Sequence, residues 1–463
     1  GAAVWSATVE AAHTWRSKGG LRQPARVLRV DLPLGGAAAW ALALAEVKVH
    51  ALVPWECDRY CVHGDCRCAQ PPGADGSACE ATVCECHPDW VGRQCDTFLL
   101  SAWEYLPPKD HLGDVSWWEH EGRSAALTAA LHSRQHPLSC PPTVAGYPEL
   151  MQSGLGSTLM LTSAALSDAF VQGLPFQPPP SVQFARDVKE CGQEPGFGCY
   201  FQPWLRSLDK CPRTIVLDHT SRVGGDMCPN GGSDCSRMRT LPAEAQRRGA
   251  FWWRAHLMAY LFRLARPFEE SLKLERLKRT IGFERPIIGV HIRHGDSCFL
   301  ARAGYCRPLD DYLPAVRSLA ERYNIRRVFV ATDSPTVVAS LRSLKASSGL
   351  QFVTLPFDRG FLDVARPGSA AVGSGWKMSI EKRIRKNEVP VYELMRMSAA
   401  DLELLAETDA LVGTGSASFF KLALQLSAAR KQAVPPFISL DSAYCDSWRM
   451  CCDVRPDGAA VTC

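Results

Sequence analysis

From Arg285 onward, short apolar runs alternate with stretches whose apolar residues recur every three or four positions. Pro286-Ile-Ile-Gly-Val-His-Ile292 reads as a continuous apolar strand, Leu309–Tyr323 as an amphipathic helix, Arg327–Thr332 as a second strand and Pro335–Leu344 as a second helix. Residues 350–355 and Ala410–Gly413 follow as strands, residues 399–407 and 418–428 as helices. A strand that is apolar throughout has no face to give to water. The alternation therefore predicts a parallel sheet with helices on both sides. Residues 101–266 are less regular, mixing helical and short strand patterns around a proline-rich break at 175–180. The most apolar early stretch, residues 35–47, is shorter than the roughly 20 residues of a membrane span and includes Glu46, which predicts a core helix.

Twenty cysteines, gathered in clusters, change the picture. A cytosolic chain rarely holds so many, and the close pairs lack the repeated C-x2-C spacing of tetrahedral zinc sites, so the pattern points to disulfides and an oxidising compartment. Eight fall between Cys57 and Cys95, ending in Cys84-Glu-Cys86-His-Pro-Asp-Trp90-Val-Gly92-Arg-Gln-Cys95. This spacing resembles the EGF-like family, whose glycine allows a tight turn and whose disulfides supply the stability that so small a core cannot. The resemblance implies a spacer or a surface that docks a protein partner, with residues 70–78 as a loop inside it. Six more cysteines, from Cys140 to Cys235, predict disulfides whose pairing the sequence leaves open.

The net charge of +4 is spread over 52 basic and 48 acidic residues, which excludes the global field of a nucleic-acid or anionic-membrane binder. No basic and apolar leader opens the chain, so the expectation is that it begins after a removed signal or anchor, with any membrane tether lying before Gly1. Asn230, Asn324 and Asn387 all lack the hydroxyl residue two places on that N-glycosylation requires. The expected location, the Golgi lumen or the cell exterior, rests at this point on the cysteines.

In an open α/β sheet ligands sit at the carboxyl ends of the strands. Three such ends are polar here: His291-Ile-Arg293-His294-Gly295-Asp296, Ala331-Thr332-Asp333-Ser334-Pro335 and Gly413-Thr414-Gly415-Ser416-Ala417-Ser418. An arginine offers a planar fork of donors to a pyrophosphate, and small hydroxyl residues at a helix start offer backbone N–H groups and the positive end of a dipole. A strand-end aspartate such as Asp333 serves either as a ligand to a base or ribose or as a helix cap.

The run from Phe251-Trp-Trp-Arg254 through Ile281 to Arg293, with Asp310-Asp311-Tyr312 and Val330-Ala-Thr-Asp333, resembles the α1,6-fucosyltransferases that modify the N-glycan core. His291 to Asp296 is also similar to the equivalent motif of bacterial nodulation fucosyltransferases, which act on chitin oligosaccharides, and residues 401–418 to the closing nucleotide-site segment of the same superfamily. The resemblance implies an α/β fold of GT-B type with two Rossmann-like domains, and an inverting transfer of fucose from GDP-fucose to a glycan or glycoprotein hydroxyl without metal or other cofactor; the alternatives are another GDP-sugar or a peptide acceptor, or an extracellular binding protein with an EGF-like module and no catalysis. It implies that Arg293 binds the pyrophosphate and stabilises the departing diphosphate. His291, Tyr312, Asp333, Ser334, Asp401, Thr414, Ser416 and Ser418 then complete the donor site, Asp333 and Asp401 by holding guanine, ribose or a nearby basic group. Gly154 and Gly156, in a glycine-rich first turn, fall on the acceptor side. No D-x-D triplet, the usual carboxylate seat of a metal-bound nucleotide sugar, occurs in the chain.

The relatives follow the aspartate matching Asp296 with a lysine and then an acidic residue proposed as base, whereas this chain runs Ser297-Cys298-Phe-Leu-Ala-Arg-Ala-Gly-Tyr-Cys306. Asp296 is then the candidate base, with orientation of Arg293 or capping of a turn as its alternative role, and Cys298 and Cys306 are placed to close the loop by a disulfide. The relatives also carry a helical region before the catalytic part and an SH3-like domain after it. Here the expected order is an N-terminal segment (1–54), the EGF-like module (55–98), an acceptor-side α/β domain (99–275), a GDP-sugar-binding domain (276–444) and a cysteine-rich tail (445–463). The basic run Lys377 to Lys386 is either a solvated helix face or a contact for an anionic group.

Overall fold

A computed structural model of the chain describes residues 64–68, 82–86, 90–91, 97–98, 104–109, 123–146, 154–178, 184, 189–192, 196–205, 214–217, 242, 245, 249–298, 306–344, 349–362 and 379–441. Every described residue lies in the unit Pro54–Cys463. The predicted segment 1–54 with its helix at 35–47, the loop at 70–78 and the tail at 445–463 lie outside the described residues.

Two short antiparallel pairs come first. Strand β1 (Gly64–Cys68) pairs with β2 (Thr82–Cys86), setting Cys66 opposite Cys84, and β3 (Trp90–Val91) pairs with β4 (Thr97–Phe98). After β5 (Glu104–Tyr105) and helix α1 (Arg123–Gln135), a small parallel sheet places β6 (Thr143–Gly146) between β7 (Phe176–Gln177) and β8 (Thr214–Leu217), with α2 (Leu155–Val171) following β6. Helices α3 (Gly249–Leu261), α4 (Arg266–Leu272) and α5 (Leu274–Ile281) lead into the main sheet.

That sheet has the order β11 (Gln351–Val353), β10 (Arg327–Thr332), β9 (Ile287–Ile292), β12 (Ala410–Gly413), β13 (Phe437–Ser439), β5. Helix α6 (Leu309–Tyr323) joins β9 to β10, α7 (Pro335–Leu344) joins β10 to β11, α8 (Ile380–Arg385) and α9 (Val391–Glu407) precede β12, and α10 (Ser418–Lys431) joins β12 to β13. The strands from β9 to β13 run parallel, while β5 is antiparallel to β13, so the expectation of a purely parallel sheet is corrected at one edge. Winding begins at β9, proceeds outward through β10 and β11, then returns to the other side of β9 with β12 and β13. Such a reversal opens a crevice at the carboxyl ends of β9 and β12.

Strand β9 is buried along its whole length because helices cover both faces. Ile288, Val290 and Ile292 pack with Tyr312, Val316 and Leu319 of α6, whereas Ile287 joins Leu405, Leu411 and Phe420 on the other side. Each such aliphatic side chain, fully buried, contributes roughly 1.5–3 kcal/mol. Gly289 lets the end of α9 approach, since a Cβ there would stand 2.6 Å from Thr408 Oγ1.

The boundaries read from periodicity hold for α6, β10, α7 and β12. Helix α9 begins at Val391, earlier than the predicted residue 399, because Met395 and Met397 also turn into the core. Residues Phe420 to Ala428 of α10 are all buried, for α10 lies against α2, α3 and α9 together. One hydrophobic core consequently runs from Leu127 through Trp253 and Phe420 to Phe437 and joins the two sheets. Disulfides link Cys191 to Cys199 and Cys298 to Cys306, and no cysteine is free among the described residues. No helix among them is long and apolar enough to cross a membrane.

Candidate functional site

Arg293 leaves β9 at the crevice, where its side chain is 29% exposed. Its Nη2 donates to Asp296 Oδ1 and its Nη1 pairs with Asp333 Oδ2. A guanidinium has five N–H donors, so three remain for a ligand. Asp333, just past β10, also accepts the His294 backbone N–H at 2.8 Å. Gly295 makes this clamp fit: its φ is +43°, and a Cβ there would fall 2.6 Å from Asp333 Oδ2.

Asp296 is 6% exposed and uses both oxygens, the second accepting the Ile380 N–H at 2.9 Å. The residue expected as base, or as the group that orients Arg293, thus bonds a cation and a backbone N–H inside the protein. Ser334 is likewise diverted, its hydroxyl accepting the Val337 N–H at 3.3 Å as the cap of α7.

His291 is 5% exposed and lies flat on Phe419, ring centroids 4.9 Å apart. Burial, aided by the nearby Arg293 charge, pushes its pKa down to about 3, so the ring is neutral at any physiological pH. Among the described residues its buried Nδ1 has no hydrogen-bond partner.

The turn after β12 differs most from expectation. Gly415 N–H donates to Ser439 Oγ at 2.7 Å, Ser416 gives both its N–H and its hydroxyl to Asp441, and Ala417 N–H bonds Thr414 O at 3.0 Å. Those groups were expected to face phosphates, and the fold spends them internally. Thr414 and Tyr312 are fully buried on the α6 side of the sheet, so Tyr312 does not line an open pocket, and burial raises its hydroxyl pKa. Ser418 remains at the surface of the crevice, its Oγ 3.1 Å from Ser157 Oγ of α2. Gly156 sits on the same turn, where a Cβ would stand 2.8 Å from Phe419 N. Gly156, expected on the acceptor side, thus stands against the turn expected to hold the donor, while Gly154 caps the start of α2.

Asp401, inside α9, is 4% exposed and faces Arg359, Oδ2 to Nη2 3.6 Å. Burial pushes its pKa up to about 7 against the pull of Arg359. It is too enclosed to hold a nucleotide directly, so of its expected partners the basic group is the one present. Arg359 in turn bonds Thr332 O at 2.6 Å and Leu355 O at 2.8 Å, bracing the end of β10 just before Asp333.

Sequence reasoning missed Arg359, Phe419, Ser439 and Asp441. Asp441 carried a usable signal, a polar residue after the short apolar run Pro436-Phe-Ile, and burial raises its carboxyl pKa. Among the described residues no group of three His, Cys, Asp or Glu is placed to hold a metal ion. In the basic run, Arg383 bonds Phe361 O and pairs with Glu388, which also pairs with Lys386.

What this arrangement offers an anion is the open edge of the guanidinium and the helix starts, since the two carboxylates outweigh the charge they hold. A half-open guanidinium, a neutral imidazole and the converging starts of α2 and α10, neither with a side-chain cap, meet where the winding reverses.

Residues 243–345 match the family described as alpha-(1,6)-fucosyltransferase N- and catalytic domains. That span holds β9, α6 and β10, and with them Arg293, Asp296 and Asp333. The alpha-(1,6)-fucosyltransferase of Drosophila melanogaster is 29% identical over 97 residues, 20% of this chain and 15% of that protein, so the chain spans about a seventh of this relative's length. Among solved structures, the NodZ alpha-1,6-fucosyltransferase soaked with GDP-fucose aligns at 15% identity over 61% of this chain and 92% of that one, TM-score 0.34. NodZ from Bradyrhizobium aligns at 15% identity over 62% and 92%, TM-score 0.35. POFUT1 in complex with GDP-fucose aligns at 11% identity over 66% and 99%, TM-score 0.35.

Proposed function

We propose that this chain is a glycosyltransferase that moves fucose from GDP-fucose to a glycan hydroxyl with inversion and without a metal. The observation that carries the reading is Arg293, a partly open guanidinium at the point of strand reversal, inside the segment that matches the fucosyltransferase family. Negative charge grows on the diphosphate oxygen as the glycosidic bond breaks, so a fixed cation aimed there acts mainly on the transition state. Asp333 and Asp296 hold that cation, and His291 supplies a neutral ring beside it. The absence of a D-x-D triplet supports the metal-free form. An acceptor of the N-glycan core or chitin type follows from the sequence resemblance of residues 251–333 and 291–296, and the disulfides fit the Golgi lumen or the cell exterior. The hairpins at 64–68 with 82–86 and at 90–91 with 97–98 are consistent with an EGF-like module that docks a protein partner.

GDP release measured with a panel of GDP-sugars and varied glycan acceptors tests this. Release with GDP-fucose, well above that with other GDP-sugars, is expected. None with any acceptor would remove the reading.

One observation favours a second reading, a binding protein that has lost catalysis: Asp296, the carboxylate expected as base, has both oxygens engaged and is not free to take the acceptor proton. Calorimetry with GDP bears on this reading, since a protein with neither donor site nor catalysis would give no heat of binding.

A further inference from the structure

The two carboxylates that hold Arg293 stand on unlike supports. Asp333 follows a central strand braced by Arg359. Asp296 belongs to the 3-10 turn Gly295–Cys298, a single short turn outside the sheet. Such turns have weak hydrogen-bond geometry and little stability of their own. Besides the Ile380 N–H that Asp296 accepts, two cross-links tie this one down, and both land just ahead of α6. The His294 ring donates from Nε2 to the Arg307 carbonyl at 2.7 Å, and Cys298 is bonded to Cys306. Pro308 then caps α6, whose Tyr312 and Val316 are locked in the core.

We propose that the Cys298–Cys306 disulfide is a positioning device for Arg293: it fastens the turn to the rigid start of α6, so that Asp296 keeps the guanidinium turned toward the crevice. Neither cysteine belongs to the hydrophobic core. Cys298 is half-buried and Cys306 exposed, so removing the bridge opens no cavity. Its effect falls on the turn. The inference rests on the proposed role of Arg293 as the diphosphate cation.

The test compares four full-length proteins: wild type, Cys298→Ser/Cys306→Ser, Arg293→Ala, and the triple variant. GDP-fucose turnover, GDP affinity by calorimetry and thermal unfolding are measured on each. The cysteine variant is expected to unfold within a few degrees of wild type but to lose roughly tenfold to a hundredfold in kcat, the cost of a misplaced catalytic group. In the Arg293→Ala background the same change is expected to alter turnover by less than twofold, because the two act as one unit. Wild-type kcat in the cysteine variant, or an equal loss in both backgrounds, overturns the proposal. Should the serine variant fail to fold, wild type treated with a small dithiol, with labelling of Cys298 and Cys306 followed by peptide mass, gives the same comparison against identically treated Arg293→Ala. Absence of GDP binding by the untreated wild type would sink the donor-site reading itself and the bridge's role with it, a result distinct from GDP binding with an indifferent bridge.

Discussion

The guanidinium of Arg293 lies between Asp296 and Asp333, so removing it takes away a cation and leaves two carboxylates facing each other. Arg293→Ala is expected to lower turnover about a hundredfold or more, as the loss of one transition-state donor does. Unfolding should also come a few degrees earlier, because leaving enclosed charged groups unpaired costs about 1–3 kcal/mol or more. Steady-state kinetics and a melting curve check both, and a rate within twofold of wild type would remove the assigned role. Asp401 gives a prediction of another kind. Its carboxyl is held at about 7 in the folded protein, against an ordinary 3.8, chiefly by burial. Between about pH 4 and 7 the folded state therefore binds more protons there than the unfolded chain. Stability from this group is whole below about pH 4 and is lost as pH rises through 7, to an extent on the order of a few kcal/mol. Asp401→Asn keeps the neutral shape at all pH values, so wild type should weaken relative to it across that window in denaturant titrations. Parallel curves would show that Asp401 is ionised throughout.

Helices α2 and α10 meet at their first turns, and a missing side chain allows it. A Cβ on Gly156 would strike Phe419 N at 2.8 Å and Ser418 C at 2.9 Å, backbone atoms that cannot swing aside. Gly156→Ala is expected to cost about 1–3 kcal/mol, the usual penalty of overpacking, and to weaken GDP binding by separating the two helix starts. Gly154→Ala serves as the control, since its Cβ would meet nothing closer than Glu381 Oε1 at 3.9 Å. Equal melting temperatures for the two variants would refute the close approach. The helices α6 and α7 were readable because one face of each meets the core and the other meets water. Helix α10 was readable as a helix, but not the extent of its burial, because Lys421, Gln425 and Ser427 give its sequence a polar face that the fold nevertheless encloses.

A core that runs unbroken from Leu127 to Phe437 binds the two sheets into one folding unit. The segment 276–444 expressed alone would bare the sides of α10 that α2 and α3 cover, including Phe420. It is expected to lack a cooperative transition and a near-ultraviolet circular dichroism signal, while the full chain shows both. A sharp, native-like transition in the fragment would mean that the halves are separable domains. The strands, the helices between them and the polar ends where chemistry gathers were set by the sequence itself, because periodicity is a local property of consecutive residues. The same holds for the Cys298–Cys306 bridge, whose partners lie within one short loop. Which polar group is left for a ligand was decided by tertiary structure. Asp441 takes Ser416, Arg359 takes Asp401, and Asp333 takes a share of Arg293, and each of these three pairings joins residues at least 25 positions apart. A hydrogen-bonding group carries no mark in its own sequence of whether a distant partner will claim it, so the open part of the site appears only when the chain has folded.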